Sequence, residues 1–242
     1  QVVLAKALMQ MKHDYAAALP LLQEVKTSGK NPAGDALALW PKYGEVFMIE
    51  NRNCSEAVYT VQYSINDGSG GTNAGYGEIL NFPYKSGGSP GGCCGFFQPT
   101  QEYVNSFRTS GGLPMLDGSY NQAANVVKSD QGINYADPFT EDTGPLDPRL
   151  DWSVGRRGIP YFDWGVMTGS DWIRDQTYAG PYATKKQVYK KSQERQLTDV
   201  TNWTNGVTAN GYRMIRFADV LLLLAECQIE TNDLAGARTN IN

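Results

Sequence analysis

The same short pattern occurs near both ends of the chain, and it limits the folds that the chain can adopt. Residues 14–18 and 233–237 both consist of Asp, a large apolar residue, Ala, a small residue and Ala. Each copy follows a predicted helix and a short polar turn. Small side chains at these positions allow two helices to pack closely. The repeat therefore predicts a helical hairpin at each end of the chain, with a large insertion between the two hairpins.

The first hairpin occupies the N-terminal residues. Apolar residues recur at helical spacing in Gln1 to Thr27 and predict two helices joined by a short turn. Asp14 is a suitable N-cap for the second helix. Because a proline inside a helix removes one backbone hydrogen bond, Pro20 predicts either a kink or a late helix start.

The second hairpin begins with the most apolar helix of the sequence, which we predict over Tyr212 to Glu230. Leucines occupy more than one of its faces, as is typical of a helix packed on several sides. Arg216 and Asp219 are spaced to pair within this helix. The two hairpins together predict a mostly α fold, a tetratricopeptide-like superhelix with long loop-rich insertions and little β-structure.

The insertion between the hairpins has a different composition. Its glycine-rich segments are residues 68–77, 87–95 and 111–118. Alternating residues in Glu56 to Ile65 predict one strand, and Thr100 is predicted to cap a short helix that extends through Arg108. We expect a single domain over residues 1–242, with hairpins at 1–30 and 211–242 and a loop-rich ligand-binding insertion at 31–210. Long loops on a helical frame commonly carry the function.

Charge and motif content exclude several classes of protein. Lys and Arg number 21 against 25 Asp and Glu, so no basic excess is available for nucleic acid. The longest apolar run, Val220 to Ala225, is far shorter than the ~20 residues of a transmembrane helix. His13 is the only histidine, and no nucleotide-binding or zinc motif occurs. We therefore predict no cofactor, no metal site and no catalytic triad. Gly87 to Gly91 matches the G-x-S-x-G pattern, but a flexible loop explains it better.

Aromatic and charged residues are concentrated in Trp152 to Tyr182. The apolar face of a sugar ring packs on aromatic rings, and its hydroxyls bond to planar guanidinium and carboxylate groups. This composition predicts a sugar-binding surface, although each aromatic residue can equally belong to a core. The predicted ligand-binding residues are Trp152, Tyr161, Trp164, Trp172, Arg156, Asp163 and Arg174.

Acidic residues before this segment leave an alternative open. A glycoside hydrolase requires two carboxyl groups that face the scissile bond, and residues 137–151 contain five acids. The five are Asp137, Glu141, Asp142, Asp147 and Asp151. Acids beside Gly and Pro more often cap turns, so we favour binding without catalysis.

Three segments resemble one known family. Tyr212 to Glu226 is similar to the C-terminal signature of the SusD/RagB family, in which Arg-x-Ala-Asp/Glu leads into an apolar helix ending in Ala-Glu. Asp147 to Asp151 resembles the Asp-Pro-Arg-Leu segment of that family, and Pro99 to Phe107 resembles its Pro-Thr-x-Glu-Tyr helix. The segments occur in the family's order, and the resemblance extends over essentially the whole chain.

The resemblance implies a SusD-like α-superhelical fold and a binding protein that is not an enzyme. Such a protein would be a lipid-anchored outer-membrane lipoprotein of Bacteroidetes that serves nutrient uptake and polysaccharide utilisation. Its implied partners are an oligosaccharide and a SusC-like TonB-dependent transporter, and a RagB-like peptide ligand is the alternative. The first residue is Gln and no signal segment is visible. We therefore expect an internal fragment whose lipid anchor lies outside it.

Overall fold

The computed structural model describes residues 1–75, 82–84, 94–186, 188–203 and 206–241. The chain divides into two compact units. The first contains Gln1–Val46, Asn51–Gln62 and Gly211–Asn242, and the second contains Phe47–Glu50 and Tyr63–Asn210. The described helices far exceed the strands in length, so the predicted mostly α fold class is confirmed.

The first unit opens with the predicted pair of helices, α1 (Val2–Lys12) and α2 (Tyr15–Ser28). Asp14 caps α2 as predicted, because its Oδ1 accepts a hydrogen bond from the Ala17 amide at 3.0 Å. Helix α2 includes Pro20 and begins five residues before it, so the alternative of a late helix start is wrong.

The predicted helix over Tyr212 to Glu230 is wrong at its N-terminal end. Tyr212–Arg216 is a strand, and the helix covers only Phe217–Glu230. The strand pairs antiparallel with β1 (Ala57–Val61), the strand predicted within Glu56 to Ile65. Exposed and buried side chains alternate along Tyr212–Arg216, as expected for a strand with one solvent-facing side. Pairing with a distant segment thus decides the structure of these five residues.

The turn from this strand into the following helix uses Arg216 and Asp219 differently from the prediction. Arg216 lies at the N-cap, outside the helix, and Asp219 accepts its backbone N–H at 2.7 Å. The Arg216 guanidinium forms an ion pair with buried Glu56 at 2.6 Å. This pair ties the start of the helix to the residue before β1.

The helix Phe217–Glu230 packs against α2 and against the last helix, Leu234–Ile241. Asp233 caps that last helix through the Gly236 amide at 2.9 Å, which repeats the role of Asp14. Apolar side chains from both hairpins form one core. Its most buried members are Ala5, Met9, Ala18, Leu22, Val220, Leu224 and Cys227.

The second unit consists mainly of loops with short elements. In chain order they are α3 (Gln101–Asn105), β2 (Thr109–Ser110), β3 (Leu113–Pro114), α4 (Leu150–Ser153), β4 (Val154–Gly155), α5 (Gln176–Ala179) and β5 (Ala183–Thr184). They are followed by β6 (Tyr212–Arg216), α6 (Phe217–Glu230) and α7 (Leu234–Ile241) of the first unit. Thr100 caps α3 as predicted, through the Tyr103 amide at 3.1 Å. The helix ends at Asn105 rather than at the predicted Arg108, and the Arg108 side chain is buried in an ion pair with Asp142.

Two apolar clusters support the second unit. One contains Phe82, Tyr161, Trp172 and Tyr189, and the other contains Val104, Leu150 and Tyr182.

Within the described ranges, none of the helices combines the length and apolarity that crossing a membrane requires. The predicted G-x-S-x-G loop at 87–91 lies outside the described residues.

Candidate functional site

The structure brings three of the four predicted aromatic residues into one row of rings. Trp152 lies 6.5 Å from Phe162, Phe162 lies 5.6 Å from Tyr161, and Tyr161 lies 5.3 Å from Trp172. The row runs from the surface into the core. Trp152 is 43% exposed, whereas Tyr161 and Trp172 are fully buried. Only Trp152 of these three predicted residues offers a ring face to solvent.

Trp164 and Asp163 hold neighbouring loops in place. The Trp164 indole N–H donates to the Tyr189 carbonyl at 2.9 Å. The Asp163 carboxylate accepts the backbone amides of Lys191 and Ser192 at 2.6 and 2.9 Å. Partial burial opposes ionisation of Asp163, but the bonds from Ser192 and Lys191 outweigh it and lower its pKa.

Arg156 is buried and pairs with a nearby acid. Its Nη2 lies 2.7 Å from Asp151 Oδ1. The buried Lys185 ammonium donates to the carbonyls of Asp151 and Pro160 at 2.6 and 2.7 Å. Burial lowers the pKa of Lys185 to about 8. These contacts fix α4, which carries Trp152.

Two exposed aromatic side chains of the second unit, Phe97 and Tyr178, border a groove that sequence reasoning missed. We call it the aromatic groove. It has a volume of about 580 Å³ and is lined by residues 95–101, Ser129, Gln131 and residues 178–181. Phe97 is 83% exposed and Tyr178 is 61% exposed. Two aromatic rings beside polar amide and hydroxyl groups form a surface that suits a sugar.

Phe97 has an unusual backbone conformation. Its φ of 52° lies in the left-handed region, which non-glycine residues rarely adopt. Strain of this kind commonly occurs where a side chain must be presented to a ligand. The opposite wall contains Gly180, whose φ of 72° is a conformation that glycine adopts without strain.

The groove rests on the capped helix α3. Gln101 donates to the Val127 carbonyl at 2.9 Å and accepts from the Tyr182 hydroxyl at 3.0 Å. Burial raises the pKa of Tyr182 to about 12, so its hydroxyl remains a donor at neutral pH. These bonds give the groove a rigid floor.

Arg174 is the predicted charged residue that lies beside this groove. Its guanidinium carbon is 5.2 Å from the ring centroid of Phe96, which lines the groove. Arg174 is exposed, and it follows the buried Trp172 by two residues. The predicted set is therefore divided: Trp152 and Arg174 face solvent, while Tyr161, Trp172 and Arg156 are interior.

A sequence signal for the missed residues exists in Phe96-Phe97. Two adjacent phenylalanines between Gly95 and Pro99 stand in a turn-rich segment with no apolar periodicity. Such a segment has no face that could bury both rings. Adjacent aromatics in a loop therefore indicate an exposed ring better than clustered tryptophans do.

The acids of the alternative catalytic hypothesis have structural contacts. Burial opposes ionisation of Asp142, but hydrogen bonds from Arg108 and from two backbone amides lower its pKa to about 2. A hydrogen bond from Arg149 likewise lowers the pKa of Asp147. A general acid needs a raised pKa, so neither residue suits that role. Among the residues that the structure describes, no group of three His, Cys, Asp or Glu side chains could hold a metal ion.

The family model of the SusD family matches residues 55–242, which is more than three quarters of the chain. The chain belongs to the SusD family. The match includes all three segments whose resemblance the sequence indicated, so the prediction of a SusD/RagB-family member is confirmed. Comparison with curated proteins finds no match.

Solved structures of SusD-like proteins share the fold of this SusD-family chain. Surface glycan-binding protein A from Bacteroides uniformis matches this chain with a TM-score of 0.59 and 18% sequence identity. The match covers 99% of this chain and 39% of the chain of that protein. A SusD-like protein from Bacteroides fragilis matches with a TM-score of 0.61 and 19% sequence identity, over 100% of this chain and 44% of that protein's chain. Surface glycan-binding protein A from Bacteroides thetaiotaomicron matches with a TM-score of 0.55 and 17% sequence identity, over 98% of this chain and 44% of that protein's chain. The chain thus spans about two fifths of the length of these structures.

Proposed function

We propose that the aromatic groove binds an oligosaccharide. The observation that carries this proposal is the exposure of Phe97 and Tyr178 on a groove whose walls also contain Gln98, Thr100 and Gln131. Sugar C–H groups pack on aromatic faces, and amides or hydroxyls can bond to sugar hydroxyls. The groove is broad and open, which suits a segment of a longer glycan.

The ligand-binding residues predicted from the sequence form a second part of this proposal. Trp152 is proposed as a direct ligand contact, because its indole ring is partly exposed and backed by Phe162. The other predicted residues would act indirectly, because Tyr161, Trp172 and Arg156 support Trp152 and α4, while Trp164 and Asp163 hold the neighbouring segment 189–192.

Family membership supports the wider role. SusD-family proteins are binding proteins of the outer-membrane surface, and two of the similar structures are named surface glycan-binding proteins. We propose that the whole protein is lipid-anchored at the outward-facing surface, performs no catalysis and delivers its glycan to a SusC-like TonB-dependent transporter. This role requires a ligand to be bound and then released unchanged.

Affinity electrophoresis through gels containing single polysaccharides tests the proposal, with reducing ends assayed in parallel. We expect retardation by at least one polysaccharide, no sugar release, and about tenfold weaker binding after Phe97→Ala or Tyr178→Ala. Trp203→Ala is the matched control, because Trp203 is 71% exposed but does not line the groove. If Trp203→Ala weakens polysaccharide binding as much as the groove variants do, the binding surface is not the aromatic groove. Retention of peptides instead of polysaccharides would overturn the glycan proposal.

A further inference from the structure

Arg174 is held between two aromatic rings of the second unit. Its guanidinium carbon lies 4.7 Å from the ring centroid of Tyr84 and 5.2 Å from that of Phe96. Both rings are partly exposed. A guanidinium stacked on aromatic faces keeps its charge and its outward N–H groups while most of its side-chain freedom is removed.

Among the residues that the structure describes, most of the hydrogen-bonding capacity of Arg174 is unused. To these residues the side chain donates one hydrogen bond, from Nη1 to the Cys94 carbonyl at 3.0 Å. In the described part of the chain no carboxylate forms an ion pair with Arg174. Since a guanidinium has five N–H donors, the remaining donors can serve a ligand.

The surrounding backbone is built to hold this arrangement. Tyr84 donates its amide to the Trp172 carbonyl at 3.2 Å, which places its ring beside Arg174. Gly95 has a φ of 70°, and a Cβ added there would lie 3.1 Å from Arg174 Cβ and 3.3 Å from Tyr84 Cβ. Glycine therefore allows the chain to pass close to both side chains.

Arg174 lies between two depressions. Its ring partner Phe96 lines the aromatic groove, and Arg174 itself lines a second depression of about 410 Å³ with Asn134, Ser170 and Gln176. The nearby Asp175 carboxylate accepts hydrogen bonds from the Thr177 amide and hydroxyl at 2.8 and 2.7 Å. A ligand stacked on the groove aromatics can therefore reach the guanidinium with an anionic group.

We propose that the ligand of this groove is an acidic saccharide, whose carboxylate or sulfate group binds the guanidinium of Arg174. The inference rests on the proposed glycan-binding function and adds the charge of the ligand. A fixed planar guanidinium matches a two-oxygen anion and forms charge-assisted hydrogen bonds with it. The chain carries a net charge of -4, so general attraction does not favour acidic ligands. Selection of such a ligand must come from a local cation.

The test compares acidic polymers with neutral counterparts in affinity electrophoresis and calorimetry. Polygalacturonate, alginate and hyaluronan supply carboxylates, their carboxyl-reduced derivatives supply matched neutral chains, and dextran sulfate with dextran supplies the sulfate pair. The variants are Arg174→Gln, which removes the charge, and Arg174→Lys, which keeps the charge but removes the planar fork. Arg195→Gln is the charge-matched control, because Arg195 is exposed and stacks on no aromatic ring of the described residues.

We expect the unaltered protein to bind at least one acidic polymer about tenfold more tightly than its neutral counterpart. Arg174→Gln should remove that preference, Arg174→Lys should reduce it, and Arg195→Gln should leave it unchanged. Binding of the acidic and neutral forms with equal affinity, still dependent on Phe97, would overturn the inference and leave the proposed function intact. Binding of no saccharide would overturn both. Arg174-dependent binding of polyglutamate alone would replace the saccharide by an acidic peptide.

Discussion

Arg108 and Asp142 form a two-pronged ion pair in the second unit, with Nη1 to Oδ1 at 2.9 Å and Nη2 to Oδ2 at 2.7 Å. Each side chain is 9% exposed. Arg108 Nε also donates to the Asn125 carbonyl at 2.8 Å, and Asp142 accepts the Lys128 amide at 2.8 Å. One buried pair thus joins three loop segments that have few regular elements of their own.

Asp142→Asn should destabilise the protein, because it leaves the Arg108 charge buried without its partner. We expect a loss of about 3 kcal/mol in the free energy of unfolding, measured by urea denaturation. Asp147→Asn is the control, since its partner Arg149 is 57% exposed and such pairs contribute less than about 1 kcal/mol. Equal losses after the two substitutions would show that burial of the Arg108–Asp142 pair adds nothing to the free energy of unfolding.

Acid should weaken the same contact. The folded protein lowers the pKa of Asp142 from 3.8 to about 2 through its hydrogen bonds, which outweigh the opposing effect of burial. A lowered folded-state pKa contributes stability above the unfolded value that is lost as pH falls through the folded value. Thermal unfolding should therefore show a loss between about pH 4 and pH 2, and Asp142→Asn should lack this part of the pH dependence. An unchanged pH profile in the variant would contradict the assignment.

Trp172→Ala should mainly affect stability, and Trp152→Ala should mainly affect glycan binding. Trp172 is buried, so its removal should reduce stability by about 4 kcal/mol. Trp152 is 43% exposed, so Trp152→Ala should change stability by less than about 1.5 kcal/mol and weaken glycan binding instead. Denaturation and affinity electrophoresis on the same preparations separate the two roles. Unaltered binding by stable Trp152→Ala would restrict the ligand to the aromatic groove.

Gly95→Ala should disturb the position of Arg174. The added Cβ would meet the Cβ atoms of Arg174 and Tyr84, and the φ of 70° would add backbone strain. We expect about tenfold weaker binding of the acidic polymer, because the guanidinium loses its preset orientation. Gly118→Ala is the control, since its φ is 77° and nothing lies within 4 Å of the added atom. Equal weakening in both variants would attribute the effect to strain alone.

Local signals in the sequence predicted the helical frame well. Asp14 and Thr100 cap the helices that follow them, because an N-cap bond joins residues only three apart. Tyr212–Arg216 was misassigned, since its apolar residues continue a helical period into α6. The strand exists because Thr60 pairs with Arg213 and Val61 with Tyr212, across a long sequence separation. Pairing with this distant strand leaves no signal within Tyr212–Arg216 itself.

The sequence by itself determined the family, the mostly α class and the starts of the two helices that Asp14 and Thr100 cap. These properties follow from short motifs, periodicity and capping residues. Only the tertiary structure decided which aromatic residues face solvent, since Trp172 and Trp152 belong to the same predicted cluster but differ completely in exposure. Burial depends on which distant side chains fill the surrounding space. The groove of Phe97 and Tyr178, with Arg174 beside it, accordingly emerges from packing between loop segments that no spacing rule connects.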